Sequence, residues 1–199
     1  MALIIHGSSR SRTMRVLWMA AELGLDFEHD PVAFDDPRLK SDAFLRLNPA
    51  GAIPTIEDDG FAVSESLAIN LYLAKRHGLG GLYPTLPQDE AGVWRWSLWA
   101  QGQLEPWVMR DIRLTEFRRA VAEFAASEIA TSLITLNRAL AGRSWLVGEA
   151  FTVADLNVAG VLSPSRAEHL DLTPYPNVAA WLARCYVRPA AVATRARFG

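Results

Sequence analysis

Asn48-Pro49-Ala50-Gly51-Ala52-Ile53-Pro54-Thr55-Ile56-Glu57-Asp58-Asp59-Gly60-Phe61-Ala62-Val63-Ser64-Glu65-Ser66 is the stretch from which the rest of the chain can be read. Two short apolar runs, Ala52 to Ile56 and Phe61 to Val63, flank Asp58-Asp59-Gly60, and an Asp-Gly pair between such runs signals an antiparallel hairpin. Pro54 lies inside the first run, where its missing N–H removes a ladder bond, so the pattern predicts main chain left unpaired on one side. Such an edge can pair with an extended peptide. Ser64-Glu65-Ser66 then opens an apolar-periodic helix over 67–73, whose first-turn amides would face an anion. A peptide-pairing edge and an anion cradle follow one another in one stretch.

The 199 residues suffice for one large domain or two small ones with a buried core. Half are hydrophobic and 21% charged, with a formal net charge of −2, which gives no electrostatic footprint for a polyanion. A nucleic-acid partner is not expected. Residues 1–6 lack the basic start and long apolar core of a signal peptide, and no apolar run reaches the about 18 residues that cross a bilayer. A soluble, cytoplasmic protein with no membrane partner is expected. Cys185 is the single cysteine, which rules out an internal disulfide, a CxxC pair and a cysteine-based zinc site, and four scattered histidines do not suggest a metal centre.

Upstream of the hairpin, 3–6 reads as a short buried strand and 7–12 as a polar loop. Val16, Leu17, Met19, Ala20 and Leu23 then recur at helical spacing up to Gly24, the expected stop. A second strand at about 27–32 is demoted to an edge by Pro31, 35–40 reads as loop, and 41–47 as a short helix. The helix after the hairpin ends near Lys75-Arg76-His77-Gly78, where basic groups suit the negative end of the helix dipole. Beyond a Gly- and Pro-rich linker the pattern is helical. Trp94, Trp96, Trp99 and Trp107 fall in 90–117 and read as core packing, with a kink or new start at Pro106; an amphipathic helix over 118–141 stops at Gly142. Thr152 and Asp155 have capping-box spacing, with Phe151 as a hydrophobic staple against Leu156, and a last clear helix opens at 175. The expected architecture is α/β over 1–78, a linker over 79–87 and an all-helical domain over 88–199.

Asn48-Pro49-x-Gly51-x-Ile53-Pro54-x-Ile56, followed by Glu65-Ser66 at the next helix, resembles the glutathione-binding core of the cytosolic glutathione S-transferases, with every position of the family's pattern filled. The Thr152–Asp155 cap and the helix from 175 also resemble that family, so the likeness runs over nearly the whole chain. The element order over 1–78 is that of its thioredoxin-like domain. The resemblance implies an enzyme that takes glutathione as co-substrate, activates its thiol and adds it to, or substitutes it on, a small electrophile. It also implies a homodimer and no metal.

Residue roles follow from the same likeness. Ile53 would exchange main-chain hydrogen bonds with the cysteinyl part of glutathione beside a cis Pro54. Glu65 would take the γ-glutamyl ammonium, Ser66 its carboxylate, and Lys40, eight residues before Asn48, the glycyl carboxylate. The loop after the first strand holds neither Tyr nor Cys, which leaves the serine-using classes for the thiolate donor. Ser11, four residues before Arg15, is the candidate, with Ser9 as the alternative because loop length varies between classes. The electrophile pocket would draw on Trp107, Arg110, Arg113 and Phe117, the arginines favouring an anionic or polar-headed substrate. His6 stands where the family often has Tyr; it is either a core residue satisfied by main chain, the preferred reading, or a residue that borders the site. Two other functions stay open. One is a glutathione-dependent maleyl isomerase, whose Ser-Ser-Cys loop is half present as Ser8-Ser9-Arg10; the other is a noncatalytic interaction module of the same fold.

Overall fold

Strand β1 (Leu3–His6) pairs in parallel with β2 (Glu28–Asp30) and antiparallel with β3 (Thr55–Asp58), which turns back into β4 (Phe61–Ser64), so the mixed sheet has the order β2-β1-β3-β4. This computed structural model describes residues 3–108 and 116–199, without the side chains of 116–125, 165 and 166. The hairpin turn is Asp59-Gly60, at φ 51° and 84°, the two positive values that a type I′ turn requires. Ile5 lies opposite Ile56, and both are fully buried.

Helix α1 (Thr13–Glu22) buries Val16, Leu17, Met19 and Ala20, as the spacing predicts. It ends in a Schellman motif: Leu25 N–H donates to Ala20 O (3.0 Å) and Gly24 N–H to Ala21 O (3.2 Å), with Gly24 at φ 63°. The segment read as loop over 35–40 contains one 3₁₀ turn, Pro37–Lys40. Proline at its start fixes φ, and the Asp36 carboxylate accepts the Arg38 amide at 2.8 Å, which together with the Arg38 side chain holds that carboxyl below its usual range. Helix α2 (Asp42–Leu47) follows, capped by Ser41 Oγ on the Phe44 amide. Its Phe44 joins Val32 and Leu39 in a small core against which Leu47 and Ile53 pack.

Helix α3 (Ser66–His77) packs on α1. The basic residues at its end do more than face a dipole. Arg76 pairs with Asp58 (3.2 Å) and Asp59 (2.9 Å), His77 Nε2 lies 3.5 Å from Asp58, and Tyr72 Oη donates to Asp58 at 3.0 Å. The end of α3 thereby clamps the tip of the hairpin. His6 is a half-buried core residue, but side chains rather than main chain satisfy it: Nδ1 faces Asp30 (3.0 Å) and Nε2 faces Glu57 (2.9 Å), so one ring ties together three strands.

Two compact units result, one of Met1–Tyr83 with Val187–Gly199 and the other of Pro84–Tyr186. The all-helical segment expected over 88–199 therefore divides near its end. Helix α10 (Pro189–Phe198) belongs with the first unit because it packs along α1, and Arg188 forms a bidentate ion pair with Glu22 (2.7 and 2.6 Å).

The second unit contains α4 (Pro87–Trp99), a π-helical turn (Ala100–Leu104), α5 (Glu105–Val108), α6 (Glu116–Ala139), α7 (Val153–Leu162), α8 (Pro164–Ala167) and α9 (Pro176–Tyr186), with α10 (Pro189–Phe198) after it in sequence. Glu105 N–H reaches back to Ala100 O, one residue further than in an α-helix, immediately before Pro106 begins without a donor of its own. Of the tryptophans read as core, Trp96 is buried but Trp94 is 47% exposed. Residues two apart on a helix point to nearly opposite sides, so both cannot face one core.

Helix α7 is buried along its whole length. The capping box forms as the spacing predicts, but Asp155 does more than cap. Its carboxylate accepts the Thr152 amide (3.0 Å), the Leu146 amide (2.9 Å) and Trp181 Nε1–H (2.8 Å), joining the loop before α7, the helix start and α9. Burial pushes this carboxyl above its usual range, against the pull of those donors. Asp155→Ala leaves four donors without their acceptor, the Thr152 hydroxyl included, and is expected to cost on the order of 3 kcal/mol in urea-induced unfolding, well above Asp171→Ala, which loses an exposed acceptor of the Thr173 amide.

Candidate functional site

The first unit gathers one constellation around Ile53. The Ile53–Pro54 peptide is cis, as the resemblance implied, and β3 begins only at Thr55. Neither the N–H nor the C=O of Ile53 has a hydrogen-bond partner among the described residues. The loop leading to it is held by side chains instead. Asn48, 4% exposed, donates through Nδ2 to Ala52 O (2.9 Å) and Thr55 Oγ1 (3.1 Å) and accepts the Ala50 amide on Oδ1 (3.0 Å). Lys40 Nζ donates to Ala50 O (3.1 Å) and Gly51 O (3.0 Å). Gly51 must be glycine here: φ is 56°, and a Cβ would come within 2.6 Å of Leu39 O.

Beyond the hairpin, Glu65 separates strand from helix at φ 69° and ψ 111°. That conformation costs a non-glycine residue about 1–3 kcal/mol and is a recurrent feature of ligand clamps. Its side chain is exposed, whereas Ser66 is 2% exposed. The hydrogen-bond ladder of α3 starts with Ile69 N–H on Glu65 O (2.8 Å), which leaves the first-turn amides ahead of it pointing out of the helix. Arg15, buried on α1, donates to Ser66 Oγ at 3.3 Å and adds a fixed positive charge to the positive end of α3. Arg15 served in the sequence only as the marker of a helix start. The signal that could have singled it out is a guanidinium next to the apolar stripe of α1.

The two candidate serines differ in what holds them. Ser11 Oγ donates to Ser8 O at 2.7 Å, accepts the Thr13 amide at 3.1 Å and lies 2.8 Å from Thr13 Oγ1. Ser9 is half-buried, and its hydroxyl has no hydrogen bond among the described residues. Thr13, fully buried, was missed by sequence reasoning; a threonine two residues after a serine carries no distinctive signal. It lies against Gly7, and Gly7 lies against Ile53. Loop and cis-proline segment are thus in register.

Trp107 is half-buried on α5 of the second unit, Arg110 and Arg113 lie outside the described residues, and so does the side chain of Phe117. A separate cavity of about 310 Å³, lined by residues such as Gln88, Arg95, Arg143 and Val147, contains none of the predicted residues. No described helix is long and apolar enough to cross a membrane.

A thioredoxin-like sheet with an open main-chain edge beside a cis proline, followed by a helical unit, defines a class, and the comparisons identify the family. The model of the glutathione S-transferase N-terminal domain matches residues 11–76, and that of the C-terminal domain matches 114–184. Glutathione S-transferase PARB of Nicotiana tabacum is 34% identical over 207 residues, covering 96% of this chain and 95% of that protein. Elongation factor 1-gamma of Danio rerio is 33% identical over 163 residues, covering 75% of this chain, which spans only 35% of that longer protein. The crystal structure of a glutathione S-transferase from Pseudomonas fluorescens superposes with a TM-score of 0.83 at 28% identity, covering 94% of this chain and 96% of the other. The chain belongs to the glutathione S-transferase family.

Asn48 offers a test of the loop that is independent of any ligand. Asn48→Ala is expected to lower stability by about 1–3 kcal/mol and to accelerate amide hydrogen exchange at Ala50 more than within α3.

Proposed function

We propose that the protein is a glutathione transferase that binds the tripeptide along Ile53, ionises its thiol and delivers the thiolate to a small electrophile. The observation that carries this reading is the unpaired main chain of Ile53 beside cis Pro54, in one unit with the outward-facing first turn of α3. Ile53 exchanges main-chain hydrogen bonds with the cysteinyl residue. Glu65 takes the γ-glutamyl ammonium, while Ser66 and the α3 amides take its carboxylate, supported by Arg15. Lys40, already on the Ala50 and Gly51 carbonyls, presents its charge to the glycyl carboxylate. Trp107, Arg110, Arg113 and Phe117 belong to the electrophile pocket in this reading. The protein acts as a homodimer in the cytoplasm.

The chemistry asks little of the protein. A free thiol has a pKa of about 8.5, and lowering it by about two units takes roughly 2.7 kcal/mol of preference for the thiolate. One hydroxyl donating to a charged sulfur supplies about 1.5–3 kcal/mol. We assign that donor to Ser11. The Thr13 amide fixes its oxygen, and its one proton moves from the neutral Ser8 carbonyl to the stronger, charged acceptor when the thiolate binds. The hydroxyl acts as donor, not as base.

A noncatalytic module is the second reading, and the likeness to elongation factor 1-gamma favours it. Retention on immobilised glutathione followed by turnover of an aryl halide separates the two; failure to be retained sinks the proposal. Ser11→Ala is expected to raise the pH midpoint of bound-thiolate absorbance by about one to two units while Ser9→Ala leaves it in place. The reverse pattern moves the role to Ser9, and no shift in either variant removes serine from the mechanism.

A further inference from the structure

We propose that His29 is a positioning residue: from β2, and backed by the C-terminal helix α10, it holds the loop that carries Ser9 and Ser11. Its catalytic consequence rests on the glutathione-transferase reading above.

Gly7 is the hinge between β1 and that loop, and β2 holds both of its polar main-chain groups. Its N–H donates to Asp30 O (2.8 Å), and its carbonyl accepts His29 Nε2–H (2.8 Å), which assigns the proton to Nε2. Gly7 has φ 137°, and a Cβ there would collide with Thr13 Oγ1 and come within 3.0 Å of Ile53 Cβ. It is therefore wedged between the hydroxyl that contacts Ser11 and the residue proposed to pair with glutathione. A shift of Gly7 is transmitted to both.

The other side of His29 is closed by α10. Phe198 meets the imidazole edge-on at 5.2 Å and 89°, and it is itself fixed by Phe27 (6.3 Å) and by the Arg197 guanidinium (4.8 Å). Helix α10 is anchored at its start, where Arg188 grips Glu22 and Trp18 Nε1–H donates to the same carboxylate (3.0 Å). A phenylalanine at position 29 could keep the ring contact with Phe198. Phenylalanine has no donor, so it cannot also hold the carbonyl of Gly7, which is a buried residue.

The test uses His29→Phe, which keeps a ring and removes the donor, His29→Gln, which restores a donor, and Phe198→Ala, which removes the backing. Amide hydrogen exchange on the full-length, ligand-free variants is read over 8–13 and over α3 as control, followed by the pH midpoint of bound-glutathione thiolate absorbance. His29→Phe is expected to speed exchange over 8–13 by about 3- to 10-fold with α3 unchanged and to raise the midpoint. Gln should return both toward wild type, and Phe198→Ala should move them in the Phe direction. Unchanged exchange over 8–13 in His29→Phe overturns the proposal, as does faster exchange everywhere, which marks general destabilisation. If His29→Phe does not fold, Phe198→Ala decides by the same comparison. A wild-type protein that fails to bind glutathione sinks the functional reading alone, because the exchange experiment needs no ligand.

Discussion

The first unit depends on one constraint: the sheet must stop short of Ile53. Were β3 two residues longer, the ladder would take up the Ile53 amide and carbonyl, and no edge would remain for a peptide. Pro54 prevents this by lacking an N–H, and the loop before it is held without using Ile53. Asn48 substitutes its side-chain amide for the backbone bonds that a longer strand would have made, and Lys40 closes the carbonyls of Ala50 and Gly51. The result is a rigid segment with two open polar groups on a half-buried residue, where a ligand's main chain can replace water at little cost in ordering.

Around that edge, polar side chains act as struts between elements distant in sequence. His6 ties β1 to both of its neighbours, the Asp58 carboxylate collects Tyr72, Arg76 and His77 from the end of α3, and Asp155 does the same in the second unit for a loop, a helix start and a tryptophan. Asp58 and Asp155 are almost completely buried, where an unpartnered carboxylate would be strongly destabilising. Each therefore specifies the arrangement of its partners as well as its own place. The same logic divides the chain: α10 joins the first unit because Arg188 finds Glu22 there, although its sequence continues the helical half.

Much of the site was legible because its parts lie close together in sequence. The hairpin was readable from Asp59-Gly60, the stop of α1 from Gly24 and the cap of α7 from Thr152 and Asp155, since each rests on contacts within a few residues. Four features were missed. Thr13 and Arg15 matter through contacts with Ser11 and with Ser66, one too ordinary a spacing to notice and the other 51 residues away. Trp94 was read with the core because composition suggested it, and helix geometry turned it outward. The 3₁₀ turn at Pro37–Lys40 was passed over as loop, although Asp36 before proline is a cap signal in itself.

The amino-acid sequence by itself determined the local elements, the open edge beside Pro54 and the family pattern, because turn chemistry, capping and the missing proline donor act over a few bonds and need no knowledge of the rest. Tertiary structure decided which hydroxyl is held and which is free, which cation backs the start of α3, what satisfies His6, and to which unit the last helix belongs. Those outcomes depend on distances between residues far apart in the chain. Only packing of the assembled core brings such groups within hydrogen-bonding reach.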